Sequence, residues 1–131
     1  MKRVTLLLAV VILLVGCISA YAKDYEISKK AGDLSVQVNI DKNPPVTGIN
    51  KITVAIKDAT EKTVTDATLA IDYGMPAMSG MGAMNYKTQA ILKGDKYVAT
   101  INFSMSGPWF INIKISRAGI IQTVKLNVDI K

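Results

Sequence analysis

The sequence predicts an all-β fold, an antiparallel sandwich of two sheets with about seven strands. From Leu34 onward, polar and apolar residues alternate with period two over short stretches, the pattern of strands that are buried on one face. Turn-forming segments separate these stretches, and none of them has a convincing helical period. Short strands separated by turns at this frequency favour a sandwich of the immunoglobulin-like kind. A small closed barrel is the alternative, because alternation does not reveal the hydrogen-bond register.

Seven strands are predicted, and each is bounded by turn chemistry. In order, they cover residues 34–40, 52–56, 68–73, 85–92, 97–103, 109–116 and 120–130. Gly, Pro, Asn and Asp fill the turns at 42–48, 93–95, 106–108 and 117–119. Alternate Val, Ile and Leu residues supply enough inward positions for one core. In the fifth strand, the inward residues are predicted to be Val98 with Ile101 or Phe103.

The first 22 residues are predicted to direct export. Lys2 and Arg3 precede an apolar stretch, residues 4–15, that is too short to span a membrane but suits a signal-peptide core. Two cleavage patterns overlap. Residues 1–22 form an ordinary signal peptide if cleavage follows Ala22, or residues 1–16 form a lipoprotein signal that leaves Cys17 lipidated. We therefore expect a periplasmic or cell-envelope protein that is either soluble or lipid-anchored.

The remaining chain is long enough for one domain and too short for two. Residues 23–32 are predicted to be an N-terminal tail, and residues 33–131 the domain. Cys17 is the one cysteine in the chain, so the domain has no disulfide. Removing Lys2 and Arg3 reduces sixteen basic residues to fourteen against ten acidic ones, a net charge of +4. The lysines are not interleaved with aromatic residues, which disfavours nucleic-acid binding.

Methionine is concentrated in one segment, residues 75–84. Four of the six methionines lie there at a spacing of three: Met75, Met78, Met81 and Met84. Residues three apart point to opposite faces of a strand, and Pro76, Gly80 and Gly82 oppose a helix. In polyproline II geometry the four side chains would share a face, with successive α carbons about 9 Å apart. Their sulfurs can then converge only if the chain bends, and Ser79–Gly80 or Gly82 permits a bend.

Three interpretations of this segment remain open. The methionines pack beneath a sheet edge, or two or three thioethers bind Cu(I) or Ag(I), or they form an apolar docking face. Met105 is a candidate additional ligand. Trp109 either caps the ion through a cation-π contact or packs in the core.

Other chemistry has little support in the sequence. The chain contains no histidine, which disfavours Cu(II) and catalytic zinc sites. No catalytic triad and no phosphate-binding glycine loop is present, so we expect a binding protein and not an enzyme. The expected function is Cu(I) or Ag(I) handling in copper homeostasis, efflux or oxidase assembly. The alternative is an accessory domain that docks on a membrane or periplasmic complex without metal.

Four segments, residues 41–50, 64–67, 73–84 and 103–109, resemble the YtkA-like domain, which is related to the FixH family. The resemblance covers about residues 33–131, and its most specific parts are Met-Pro-x-Met at 75–78 and Gly-Pro-Trp at 107–109. It implies an exported immunoglobulin-like domain, with a heavy-metal efflux adaptor or a copper-oxidase assembly protein as partner. Residues 58–64 lack the Gly and Pro expected there. Ser79 and Gly82 stand where relatives often have Pro, which makes the segment more flexible.

Overall fold

The computed structural model describes residues 25–131, all of which lie in strands, turns or irregular segments. The predicted signal peptide and Cys17 lie outside these residues. Within them, no helix is long and apolar enough to cross a membrane. The described residues contain nine strands: β1 Tyr25–Ala31, β2 Leu34–Ile40, β3 Gly48–Lys57, β4 Thr68–Met75, β5 Met84–Gln89, β6 Ile91–Lys93, β7 Lys96–Phe103, β8 Gly107–Arg117 and β9 Ile120–Ile130.

The strands form two antiparallel sheets. The first has the order β1-β2-β3-β7-β6, and the second has the order β5-β4-β8-β9. In β2, alternate residues from Leu34 to Ile40 are buried, and the residues between them face outward. Most of the other strands follow the same pattern, and their inner faces meet in one core. The predicted all-β antiparallel sandwich is therefore confirmed, although it has nine strands and not seven.

The two additional strands have different origins. β1 occupies most of the segment predicted to be an N-terminal tail, and all seven of its residues pair with β2. Lys29 interrupts its alternation, but an edge strand needs only one paired side and tolerates exposed lysine. The predicted strand at 85–92 is divided into β5 and β6, which belong to different sheets. The division falls at Ala90, whose N–H donates to the Leu69 carbonyl at 3.1 Å.

The prediction for the inner face of β7 was wrong at one position. Tyr97, Ala99, Ile101 and Phe103 are buried, whereas Val98 lies on the other face. Tyrosine is unfavourable in a core unless its hydroxyl has a partner. The Tyr97 hydroxyl has one, because it accepts a hydrogen bond from the Ala67 N–H at 3.0 Å.

Strand direction brings the predicted site residues to one end of the sandwich, which we call the methionine end. β4 ends there at Met75 and β5 begins there at Met84. β8 begins at the same end, since Gly74 pairs with Phe110. The connection from β7 to β8, which contains Met105, is therefore located there too. The β1–β2 and β8–β9 turns lie at the opposite end.

Candidate functional site

The methionine segment is a β-hairpin that extends β4 and β5. Met75 pairs with Met84 at the last position of the β4–β5 ladder. Met78 pairs with Met81 in an isolated bridge closer to the turn. The Met78 and Met81 main chains exchange two hydrogen bonds of 3.0 and 2.9 Å. Ser79 and Gly80 form the turn between them, and Gly80 has a φ of 81°, which suits glycine. We call residues 75–84 the methionine hairpin.

The bend lies at Ser79–Gly80, one of the two places where the sequence permits it, and not at Gly82. The extended conformation proposed for the segment is wrong. A spacing of three does not align the four side chains along one face. Instead, the turn folds the segment so that the methionines oppose one another two by two. Residues three apart point to opposite faces within a single strand, but here a turn centred within the run divides the methionines between two strands.

The hairpin separates an inner pair from a tip pair. Opposed residues of an antiparallel ladder share a face, and residues three apart in one strand point to opposite faces. Met75 and Met84, the inner pair, face the core, where Met75 is 1% exposed and Met84 is half-buried. Met78 and Met81, the tip pair, are each 39% exposed. The four thioethers therefore do not form one cluster.

Met75 is a core residue. Its methyl carbon lies over Gly107, where an added Cβ would be only 2.9 Å away. Gly107 has a φ of 126°, and the absence of a side chain there leaves the space that Met75 fills. Met75 therefore has the packing role that one of the three interpretations gave to the whole segment.

Met84 borders a cluster of four aromatic residues. The Tyr86 hydroxyl lies 3.7 Å from the Met84 sulfur, and the Tyr86 ring stacks on Tyr73 with centroids 5.4 Å apart. The ring of Trp109 lies 6.2 Å from that of Tyr86 and 5.2 Å from that of Phe103. Tyr86 is the partly exposed member, so it covers this cluster at the methionine end.

Trp109 and Met105 are linked through the main chain of Met105. Trp109 is 1% exposed, and its indole N–H donates to the Met105 carbonyl at 2.9 Å. Trp109 thus occupies a core position and fixes the start of β8 against the preceding connection. The Met105 side chain is half-buried against the core.

Sequence reasoning missed Tyr73 and Tyr86 as part of this region. They are directly paired, two positions before Met75 and two after Met84. Once the turn is placed at Ser79–Gly80, equal distance from the turn predicts their pairing. The equal distance of the two tyrosines from the turn was the sequence signal that could have identified them.

The methionine hairpin itself carries no charge. Residues 73–86 contain no charged side chain. Within residues 25–131, no group of three or more His, Cys, Asp or Glu residues is placed to hold a metal ion. Hydrogen bonds from the Thr60 hydroxyl and the Lys62 N–H lower the pKa of Asp58, but Asp58 follows β3 at the opposite end of the sandwich.

The sequence model of a family described as YtkA-like matches residues 28–114. The chain belongs to the YtkA-like family. The matched range of this YtkA-like domain begins inside β1 and ends inside β8, so it contains the methionine hairpin, Met105 and Trp109. Among curated proteins, none matches the chain.

Proposed function

We propose that this YtkA-like domain is an exported metal-handling module that binds Cu(I) or Ag(I) through the tip pair. The observation that carries the proposal is the direct pairing of Met78 and Met81, both part-exposed, across a two-residue turn. We place this binding role in copper homeostasis, efflux or oxidase assembly, as a binder and not a catalyst.

The donor set of the tip pair fits a soft monovalent ion. Thioether sulfur is neutral and polarizable, which favours Cu(I) over harder cations. Opposed residues on antiparallel strands have Cβ atoms about 5 Å apart, close enough for flexible methionine side chains to reach a common ion. The two hydrogen bonds that close the turn hold the main chain in place, so less ordering is needed on binding.

The sulfurs of the other methionines are less accessible to a metal ion than those of the tip pair. Met84 and Met105 are half-buried, and either would have to turn outward to complete a third position. Met75 would have to leave its place over Gly107, which would cost core packing. Trp109 is enclosed by Tyr73, Tyr86 and Phe103, so capping an ion would require this cluster to open.

A site of two neutral thioethers on an exposed hairpin suits transfer more than storage. Few ligands and an open approach favour exchange with a partner that offers more donors. The partners that we propose are a heavy-metal efflux adaptor or a copper-oxidase assembly protein, met in the periplasm or cell envelope.

The test is titration of the reduced exported protein with Cu(I) against a competing chelator, and with Ag(I) as an air-stable probe. The variant Met78→Leu/Met81→Leu keeps the apolar volume but loses both sulfurs. We expect it to lose at least about tenfold in affinity, roughly 1.4 kcal/mol.

Met75→Leu is the matched control, because it changes the same residue type in the same hairpin at a buried position. We expect it to bind the ion like the parent, with little change in stability. The metal proposal fails if the double leucine variant retains the parent affinity while circular dichroism shows the same fold.

Exposed apolar groups at the methionine end favour one second candidate, an accessory domain that docks on a membrane or periplasmic complex without metal. Met78, Met81 and Tyr86 are all part-exposed there. Leucine would preserve such a docking surface and glutamine would not. A complex that survives in Met78→Leu/Met81→Leu and is lost in Met78→Gln/Met81→Gln would support this candidate over the metal site.

A further inference from the structure

We propose that the tip pair is a site of reversible methionine oxidation, and that its sulfoxide form no longer binds soft metal ions. The first half depends on exposure and packing alone. The second half rests on the proposed function. The oxidant is a peroxide or a hypohalous acid, the classes that convert thioethers to sulfoxides.

The methionines of the described chain differ in how readily an oxidant can reach sulfur. Met78 and Met81 are 39% exposed and lie at the end of a hairpin. Met84 and Met105 are half-buried, and the Met84 sulfur also faces the Tyr86 hydroxyl at 3.7 Å. Met75 is enclosed by the core. Because oxidation requires contact between the oxidant and a sulfur lone pair, the tip pair is expected to react first and Met75 last.

The chemistry needs no group from the protein other than the thioether. A sulfur lone pair attacks one oxygen of hydrogen peroxide, the O–O bond breaks, and an S–O bond forms. The departing hydroxide takes the proton from the transferred oxygen and leaves as water. Sulfur is oxidised by two electrons and the peroxide is reduced by two, so each sulfoxide consumes one peroxide.

The fold tolerates this change at the tip but not in the core. The hydrogen bonds that close the hairpin join main-chain atoms, so a sulfoxide oxygen on Met78 or Met81 leaves them intact and points to solvent. A sulfoxide on Met75 would place a polar oxygen beside Gly107 without a partner, which is costly in a core. The tip pair can therefore be oxidised while the domain remains folded.

Oxidation would also change the ligand chemistry of the tip. Each sulfoxide presents a hard oxygen and a sulfur with less electron density in place of one soft thioether. If the tip pair is the Cu(I) or Ag(I) site, oxidation disables it and a bound ion protects it from the oxidant. The hairpin would then respond to both metal and oxidant.

The experiment is a time course of the folded exported protein in hydrogen peroxide, read by mass spectrometry after trypsin digestion. Lys62 and Lys87 bound one peptide that contains all four hairpin methionines, and fragmentation assigns the added oxygen within it. We expect Met78 and Met81 to be oxidised at least about tenfold faster than Met75. We also expect the thermal midpoint to be unchanged after two oxygens. Met75, Met84 or Met105 reacting as fast as the tip pair would overturn the proposal.

Reversal and metal binding are measured on the same sample. Methionine sulfoxide reductases for the two epimers should remove both oxygens, and failure to do so overturns reversibility. Oxidised protein should lose Ag(I) binding and regain it after reduction. Selective oxidation of a parent protein that never bound Ag(I) would reject the metal function and the switch, yet retain the modification site. Ag(I) binding without selective oxidation would reject the modification site alone.

Discussion

Single residues in the methionine hairpin differ because of what they pack against and not because of their chemistry. Met75 lies over Gly107, which connects the two most specific segments of the family resemblance, Met-Pro-x-Met and Gly-Pro-Trp, inside the core. That contact explains Met75 and Gly107 as packing partners, without metal. Met78, three residues later, lies on a part-exposed tip. Only the second environment leaves a sulfur available for a ligand or an oxidant.

The turn at Asp58 should contribute to stability in a pH-dependent way. Its carboxylate accepts hydrogen bonds from the Thr60 hydroxyl at 2.7 Å and from the N–H groups of Thr60 and Lys62. These bonds, the hydroxyl first, hold the pKa of Asp58 below its ordinary value of 3.8. Since the folded pKa is lowered, the stability contribution is present above the unfolded pKa and is lost as the pH falls through the folded pKa.

Thr60→Val removes the hydroxyl at nearly constant volume and should raise the pKa of Asp58 towards 3.8. An NMR titration of the Asp58 carboxyl carbon measures the change. Thr100→Val is the control, because Thr100 pairs with Lys51 and not with the Asp58 turn. Equal midpoints for Asp58 in the parent and in Thr60→Val would contradict the assigned cause.

At the scale of elements, the β4–β5 hairpin depends on one glycine where the strands join. Gly74 pairs with Asn85, and a Cβ added there would collide with the Met84 carbonyl oxygen. The collision involves main chain, so a side-chain rotation cannot relieve it. We expect Gly74→Ala to destabilise the domain by about 1–3 kcal/mol, which denaturant unfolding measures.

Gly82→Ala is the matched control in the same hairpin. A Cβ at Gly82 meets nothing within 4 Å. We expect its effect to stay within about 0.5 kcal/mol. If Gly74→Ala unfolded at the same denaturant concentration as Gly82→Ala, the strand joint would not be as tight as the structure indicates.

The sequence predicts elements well where one face is apolar and the turn chemistry is local. Residues 34–40 and 120–130 meet both conditions, and their bounds are those of β2 and β9. β1 was missed because an edge strand with two adjacent lysines lacks clean alternation. β5 and β6 were merged because a continuous pattern across Ala90 does not reveal a change of sheet.

The candidate site was predictable in composition but not in arrangement. The count and spacing of methionines identified the segment, and glycine restricted the bend to Ser79–Gly80 or Gly82, of which the structure has the first. Pairing of Met78 with Met81, and burial of Met75, depend on the register of β4 against β5. Register follows from long-range packing, which spacing within one segment does not encode.

At the scale of the whole molecule, the methionine end is also where both ends of the described chain lie. β1 begins there, at the opposite edge of the sandwich from β5. The C-terminal Lys131 N–H donates to the Pro45 carbonyl at 3.0 Å in the loop at that end. Ile120 and Ile121 are exposed at the opposite end of the sandwich.

The two sheets are joined by tyrosine hydroxyls as well as by apolar packing. Tyr97 of the first sheet accepts from the Ala67 N–H, immediately before β4 of the second sheet, at 3.0 Å. Tyr73 of the second sheet accepts from the Asn102 N–H of β7 at 3.4 Å. β6 begins at Ile91, which pairs with Val98, so β6 does not extend as far as Asn102. The Tyr73 hydroxyl takes the place of a strand partner for the Asn102 N–H.

Removal of each tyrosine hydroxyl should lower the free energy of unfolding according to the strength of the hydrogen bond that it makes. Tyr97→Phe leaves the Ala67 N–H without its acceptor and should cost about 1–2 kcal/mol. Tyr73→Phe should cost less, because its bond is longer and weaker. Tyr86→Phe should change stability by less than about 0.5 kcal/mol, since that hydroxyl contacts only the Met84 thioether at 3.7 Å. All three changes preserve the ring, so urea unfolding of the series isolates the hydroxyls. Equal losses in Tyr97→Phe and Tyr86→Phe would mean that the bond to Ala67 does not stabilise the contact between the sheets.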